Sequence, residues 1–305
     1  MDYMKLPNTD MEVSRIALGA WRFASLSSDE VSDLLDRAVD AGINFFDHAD
    51  IYGGGKCEEL FGEALGKKPS LRDKIFIQSK CGIREGYFDF SKEHIIEAAE
   101  GSLKRLKTDR LDVLLLHRPD ALVEPEEVCE AFSKLYREGK VRYFGVSNHN
   151  AGQIELLQKY LDQKIIINQL QFSIAFCTMI KAGLNVNMKN DSAVVRDGAV
   201  LDYCRLNDIT IQPWSPFQYG FAKGCFIGSD EFPELNKKLS QIAEKYGCNE
   251  SAVAIAWILR HPAKMQPILG STNPRRIEDV KNACDIKLTR EEWYDIYRSA
   301  GNILP

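Results

Sequence analysis

Four groups able to hold or move a proton stand at the ends of short apolar runs. Asp47 closes the run Asn44–Asp47, and Tyr52 follows five residues later. Lys80 closes Ile75–Lys80, and His117 follows Leu111–Leu116. A carboxylate, a phenol, an ammonium and an imidazole are the parts of a proton-transfer site, provided the fold gathers them. A lone Asp or Lys after a strand is an ordinary loop residue. Recurrence at successive run ends is what points to a site.

The elements that must position these groups are legible as alternating patterns. Eight apolar runs read as strands: Ile16–Ala20, Asn44–Asp47, Ile75–Lys80, Leu111–Leu116, Tyr143–Ser147, Ile165–Gln169, Thr210–Trp214 and Gln266–Gly270. Their continuous apolar character suits a parallel sheet buried on both faces. Amphipathic stripes lie between them. Val31, Leu34, Leu35, Ala38 and Val39 line one helical face behind a Ser27-x-x-Glu30 capping box. Ile95, Ile96, Ala99, Leu103 and Leu106 form another behind Ser91, and Val128, Ala131, Phe132, Leu135 and Tyr136 a third. Gly42 and Gly139 stand where helix C-caps are expected. Strand and helix repeated eight times, about 36 residues per unit, predict an α/β fold of one (β/α)8 TIM barrel spanning residues 1–305. Two steps carry excursions, 173–197 and 217–247, the second with a helix over Leu235–Tyr246. Residues 4–7 and 11–14 predict an N-terminal β-hairpin closing the bottom of the barrel. Thr289-x-x-Glu292 predicts an extra C-terminal helix to about Arg298.

Composition narrows the function classes. The chain has 305 residues and a formal net charge of −5, which argues against a general nucleic-acid binder. No apolar run approaches the ~18 residues of a membrane span, and the N-terminus lacks a signal pattern. The eight cysteines form no C-x-x-C pair, so they read as reduced thiols in a cytoplasmic protein. No H-E-x-x-H or repeated ligand spacing is present, so no metal is expected. Gly53-Gly54-Gly55 lacks phosphate-loop spacing and reads as a turn behind Tyr52. His117-Arg118-Pro119-Asp120 stands without the other motifs of a kinase catalytic loop. Nothing in these patterns specifies a number of subunits.

The segment Asn44-Phe45-Phe46-Asp47-x4-Tyr52-Gly53-x4-Glu58-Glu59-x-Phe61-Gly62 resembles the aldo-keto reductase superfamily. Lys80, Leu116-His117-Arg118-Pro119, Gly145-Val146-Ser147-Asn148 and Asn168-Gln169 follow in that family's order. The resemblance runs over roughly residues 10 to 300. It implies an NAD(P)H-dependent reductase of aldehydes or ketones with Asp47, Tyr52, Lys80 and His117 as its catalytic tetrad. Tyr52 would be the general acid. A free phenol has a pKa of ~10, and a nearby ammonium, Lys80 held by Asp47, should lower it. His117 would orient the carbonyl oxygen. The alternative is a reductase-like barrel that binds the nucleotide as a regulatory or sensor protein.

The resemblance also implies a cofactor site, with NADPH or NADP+ in preference to NADH. Ser147, Asn148 and Gln169 would bind the carboxamide, and Trp214 would stack on the nicotinamide, followed by Ser215, Pro216 and Phe217. Gly19, Ala20 and Trp21 would lie near that ring. Gly270, Ser271, Thr272 and Arg276 would take the phosphate end at the start of the eighth helix. Lys264, Arg275, Arg276 and Lys281 give residues 264–281 a local positive excess. Asp279-Val280 stands where the family carries Glu-Asn towards the adenine. Asp279 can replace the carboxylate, whereas Val280 cannot hydrogen-bond. Residues 173–197, with Phe176, Met179, Ile180, Leu184 and Met188, read equally as a lid or as a packed excursion. The partner expected is a small carbonyl compound, with no nucleic acid and no membrane.

Overall fold

The computed structural model describes residues 1–220 and 223–304; Phe221 and Ala222, within the second excursion, and Pro305 lie outside them. The predicted hairpin forms from β1 (Tyr3–Lys5) and β2 (Glu12–Ser14). Eight parallel strands follow: β3 (Ala17–Gly19), β4 (Phe45–Asp47), β5 (Phe76–Cys81), β6 (Leu111–Leu116), β7 (Val141–Ser147), β8 (Ile165–Gln171), β9 (Thr210–Trp214) and β10 (Ile268–Leu269). They pair in the ring order β10-β3-β4-β5-β6-β7-β8-β9. This is the expected barrel, nearly closed. At the seam between β9 and β10, Pro213 and Pro267 have no N–H to give, and the Gln266 amide bonds to the Ile211 carbonyl at 3.1 Å.

Helices alternate with the strands: α1 (Ser28–Asp40), α2 (Lys56–Gly66), α3 (Lys92–Leu106), α4 (Pro125–Arg137), α5 (Ala151–Tyr160), α6 (Thr178–Leu184), α7 (Val200–Leu206), α8 (Pro233–Tyr246), α9 (Glu250–Leu259), α10 (Pro274–Val280) and α11 (Arg290–Ser299). The capping boxes at Ser27–Glu30 and Thr289–Glu292 both form, and Ser91 caps α3. The C-terminal helix docks through Trp293, which stacks on Trp257 at 4.6 Å while each indole N–H donates to the other's carbonyl at 3.0 Å.

Strand alternation sorts the core into two parts. Ala17, Phe45, Val113, Leu115, Ile167 and Ile268 fill the barrel, and Leu6, Met11 and Val13 of the hairpin cap them from below. Leu18, Phe46, Ile77, Leu114, Leu116, Phe144 and Val146 belong to the larger core shared with the helices. The upper interior is polar: Asp47, Gln78, Lys80, Gln169 and Gln212 are all buried. Of the 173–197 excursion, the first half packs inward through Ile174, Cys177, Met179 and Ile180, whereas Met188, Val194 and Val195 are exposed.

Candidate functional site

Asp47 ends β4 beside Gln78 in register, and Lys80 lies two residues beyond Gln78 on the same face of β5. The Lys80 ammonium is fully buried and has three protons to place. It reaches Asp47 at 2.7 Å, the His48 carbonyl at 2.6 Å and the Tyr52 phenol oxygen at 3.0 Å. All three protons are thereby used, and one bond falls on Tyr52. Burial opposes the charge of Lys80, but Asp47 and Tyr52 outweigh it and hold the ammonium above its ordinary pKa.

The expected lowering of the Tyr52 pKa does not follow. Burial raises it, Lys80 lowers it, and the net direction is upward. Desolvation of a phenolate outweighs one neighbouring cation whose charge Asp47 largely balances. Because Lys80 donates to the phenol oxygen, the Tyr52 hydrogen is left to point elsewhere. His117 follows β6, with its ring 5.9 Å from that of Tyr52, edge to face. Burial, then Lys80 and Arg118, press the His117 pKa well below 6.5, so the imidazole is neutral.

Tyr52 is held by a turn that only glycine accommodates well. Gly53, Gly54 and Gly55 all have positive φ, and a Cβ on Gly53 would lie 2.6 Å from that of Ala24. Behind the turn, Glu58 accepts Ser79 Oγ at 2.5 Å and Arg105 Nε at 2.8 Å, which ties α2 to β5 and α3.

The structure also contains an arrangement the motifs did not indicate. Asp47 Oδ1 accepts Gln78 Nε2 at 2.6 Å and Gln169 Nε2 at 3.0 Å. Both amides also reach Gln212 Oε1, at 2.9 and 3.3 Å. Gln212 donates to Gln266 at 2.9 Å, and Gln266 to the Ser14 carbonyl at 2.7 Å. A ladder of amides thus runs from the site to the hairpin. Its signal is a glutamine at an inward position of otherwise apolar strands, as with Gln78 and Lys80 two apart.

The expected cofactor positions fall into two groups. Ser147 ends β7, with Asn148 next to it. Ser147 Oγ donates to the Gln169 carbonyl at 3.0 Å, Asn148 Nδ2 to Ser147 Oγ at 2.8 Å, and Trp214 Nε1 to Asn148 Oδ1 at 3.1 Å. Asn148 and Ser215 both adopt positive φ, uncommon without glycine and frequent at binding sites. These side chains offer the mixed donors and acceptors a carboxamide needs, beside a half-buried indole. Pro216 is buried and Phe217 partly buried behind Trp214. Gly19 pairs with Asp47 in register, and a Cβ there would come within 2.9 Å of Ile268, so it admits the close approach of β10. Ala20 is buried, whereas Trp21 stands exposed on the rim with the Arg22 guanidinium 5.4 Å from its ring.

The expected phosphate-end positions lie between β10 and the first turn of α10. The start of α10 is already capped: Asn273 Oδ1 accepts Arg275 N at 3.0 Å, and Ser271 Oγ accepts Asn273 N at 3.1 Å. The basic stretch 264–281 is divided by β10: Lys264 precedes the strand, whereas Arg275, Arg276 and Lys281 follow it. Arg275, Arg276 and Asp279 are exposed beyond β10 with Gly270, and Thr272 is partly exposed. Glu278 pairs with Arg37 at 3.2 Å. Val280 is a buried core residue.

A family model described as "Aldo/keto reductase family" matches residues 15–300. The chain belongs to the aldo/keto reductase family. It is 37% identical over 301 residues to the oxidoreductase YcsN of Bacillus subtilis (strain 168), covering 94% of each chain. It is 34% identical to a 6-dehydroglucose reductase of Agrobacterium fabrum, covering 95% of each. Among solved structures, the thermostable aldo-keto reductase Tm1743, crystallised with the inhibitor epalrestat, superposes with a TM-score of 0.79 at 26% identity, over 98% of this chain and 100% of that one. The protein is therefore an oxidoreductase of this family, and carbonyl reduction is the activity these relatives imply. No helix among the described residues is long and apolar enough to cross a membrane, and no cluster of side chains among them could hold a metal ion.

Proposed function

We propose that this aldo/keto reductase is a single-domain enzyme that reduces an aldehyde or ketone with NADPH, and that Tyr52 is its general acid. The observation that carries the reading is the Lys80 ammonium, saturated by Asp47, the His48 carbonyl and the Tyr52 phenol oxygen. The cofactor, when bound, supplies the hydride. Tyr52 keeps its proton at neutral pH and presents it to the substrate oxygen, while the Lys80 hydrogen bond stabilises the phenolate as that proton leaves. Asp47, which accepts from two glutamine amides, keeps Lys80 in place. A neutral imidazole has one N–H to donate, and His117 turns it to the same oxygen. Ser147, Asn148 and Gln169 would hold the carboxamide and Trp214 the ring face. Arg276 would hold the 2′-phosphate, with Asp279 three residues on along the same exposed face. The eight thiols, all free, support a reducing cytoplasm as the site of action.

Tyr52→Phe is expected to lower turnover by orders of magnitude while quenching of Trp fluorescence by NADPH persists. Turnover like the wild type would remove Tyr52 from the role. Equal quenching by NADH, unaltered in Arg276→Ala, would remove the NADPH assignment.

A further inference from the structure

Arg118 follows His117 at the end of β6 and is half-buried at the mouth of the barrel. Its guanidinium carbon lies 5.8 Å from the centre of the Trp214 ring. It interacts electrostatically with both Tyr52 and His117. Three other arginines drawn into the barrel wall hold carboxylates: Arg72 and Arg142 hold Asp112 at 3.0 and 3.1 Å, and Arg105 holds Glu58 at 2.8 Å. Arg118 has no ion pair among the described residues. The acid nearest in sequence, Asp120, is committed elsewhere, accepting the Phe90 and Leu122 amides at 2.9 and 2.8 Å.

A guanidinium does not discharge when burial disfavours it. Stacking on an indole recovers only part of the lost hydration. A planar fork beside the reacting groups, with no anion of its own, matches a carboxylate or phosphate brought by a ligand. The expected nucleotide phosphates do not meet this need, because β6 and β10 are four strands apart in an eight-stranded ring, on opposite sides of the mouth.

We propose that Arg118 determines specificity by pairing with an anionic group on the carbonyl substrate, which makes short carboxylated or phosphorylated aldehydes and ketones the preferred class. The inference rests on the reductase reading. Since Arg118 and His117 are adjacent at one strand end, the anion would lie only a few bonds from the carbonyl.

The test compares succinic semialdehyde with pentanal, and glyceraldehyde 3-phosphate with glyceraldehyde, using the full chain and NADPH. One anionic partner should exceed its neutral counterpart at least tenfold in kcat/KM, and the pair that shows it identifies carboxylate or phosphate. Raised salt should narrow the gap. Arg118→Met should collapse the ratio through KM of the anionic substrate, and Arg118→Lys should keep part of it. Equal use of anionic and neutral substrates by the wild type would overturn the proposal. So would a parallel loss on both in Arg118→Met accompanied by weaker NADPH quenching, which would make Arg118 a clamp on Trp214. The pentanal and glyceraldehyde arms separate the two levels: neutral turnover without anionic preference defeats only the role of Arg118. No reduction of any of the four defeats the reductase reading and the proposal together.

Discussion

Two titratable side chains beside the site, Asp50 partly buried and His48 fully buried, pull stability in opposite directions with pH. Asp50 follows β4, and its Oδ1 is buried without a hydrogen-bond partner among the described residues. Burial, then Glu58, pushes its pKa to about 7 from 3.8. The folded state therefore keeps a proton that the unfolded chain releases, so this stabilisation is complete below pH 3.8 and is lost as pH rises to about 7. At ~1.4 kcal/mol per pKa unit the loss is on the order of 4 kcal/mol at most. His48 is fully buried against Phe61, with ring centres 4.4 Å apart and neither nitrogen bonded among the described residues. Burial, then Lys80, lowers its pKa to about 3, so its contribution is present above pH 6.5 and is lost as pH falls towards 3. The two slopes offset each other between pH 4 and 6.5. Asp50→Asn is expected to raise stability at pH 8 and to steepen acid unfolding. His48→Leu should flatten the acid limb, with the Lys80 contact kept because it is made by the backbone carbonyl. Denaturant titrations from pH 4 to 8 measure both, and unchanged pH profiles would contradict both assignments.

At the scale of elements, the helix carrying the Tyr52 turn is seated by close backbone approach. A Cβ on Gly62 of α2 would lie 2.2 Å from the Arg105 carbonyl oxygen of α3. That atom is main chain and cannot swing aside. Gly62→Ala should cost about 1–3 kcal/mol and lower Tm by several degrees, although alanine favours a helix over glycine. A thermal melt decides the sign. Arg105 extends past Gly55, whose missing side chain leaves it room, to reach Glu58. Helix packing and the orientation of Tyr52 are therefore one arrangement.

At the scale of the whole molecule, the ring has one weak join. β10 has two residues, and it and β9 are the two ends of the paired order. The proposed cofactor positions straddle this join, with Trp214 on one side and Gly270 and Arg276 on the other. Amide exchange at Ile268, Leu269 and the first turn of α10 should be faster than in β5, β6 and β7, and NADPH should slow it. Exchange as slow as in β6 without nucleotide, or no response to nucleotide, would show that the join is neither weak nor bridged.

The alternation of apolar runs with helical stripes determines the barrel by itself, because strand and helix periods and capping boxes are local properties. Asp47 and Lys80 were legible because each closes such a run, and His117 and Tyr52 because they lie just beyond one. What lies between distant strands was decided only by the tertiary structure. The glutamine ladder depends on the cross-strand register that sets Gln169 beside Gln212. The inward turn of Val280, and the division of a basic stretch that looks continuous in sequence, follow from which face of α10 packs and which end of β10 each charge occupies. The pKa of Tyr52 rises because burial, a sum over many neighbours, outweighs the single cation visible in the motif. Arg118 carried no signal of its own in the sequence, since the absence of an opposite charge is a property of all the surrounding elements together.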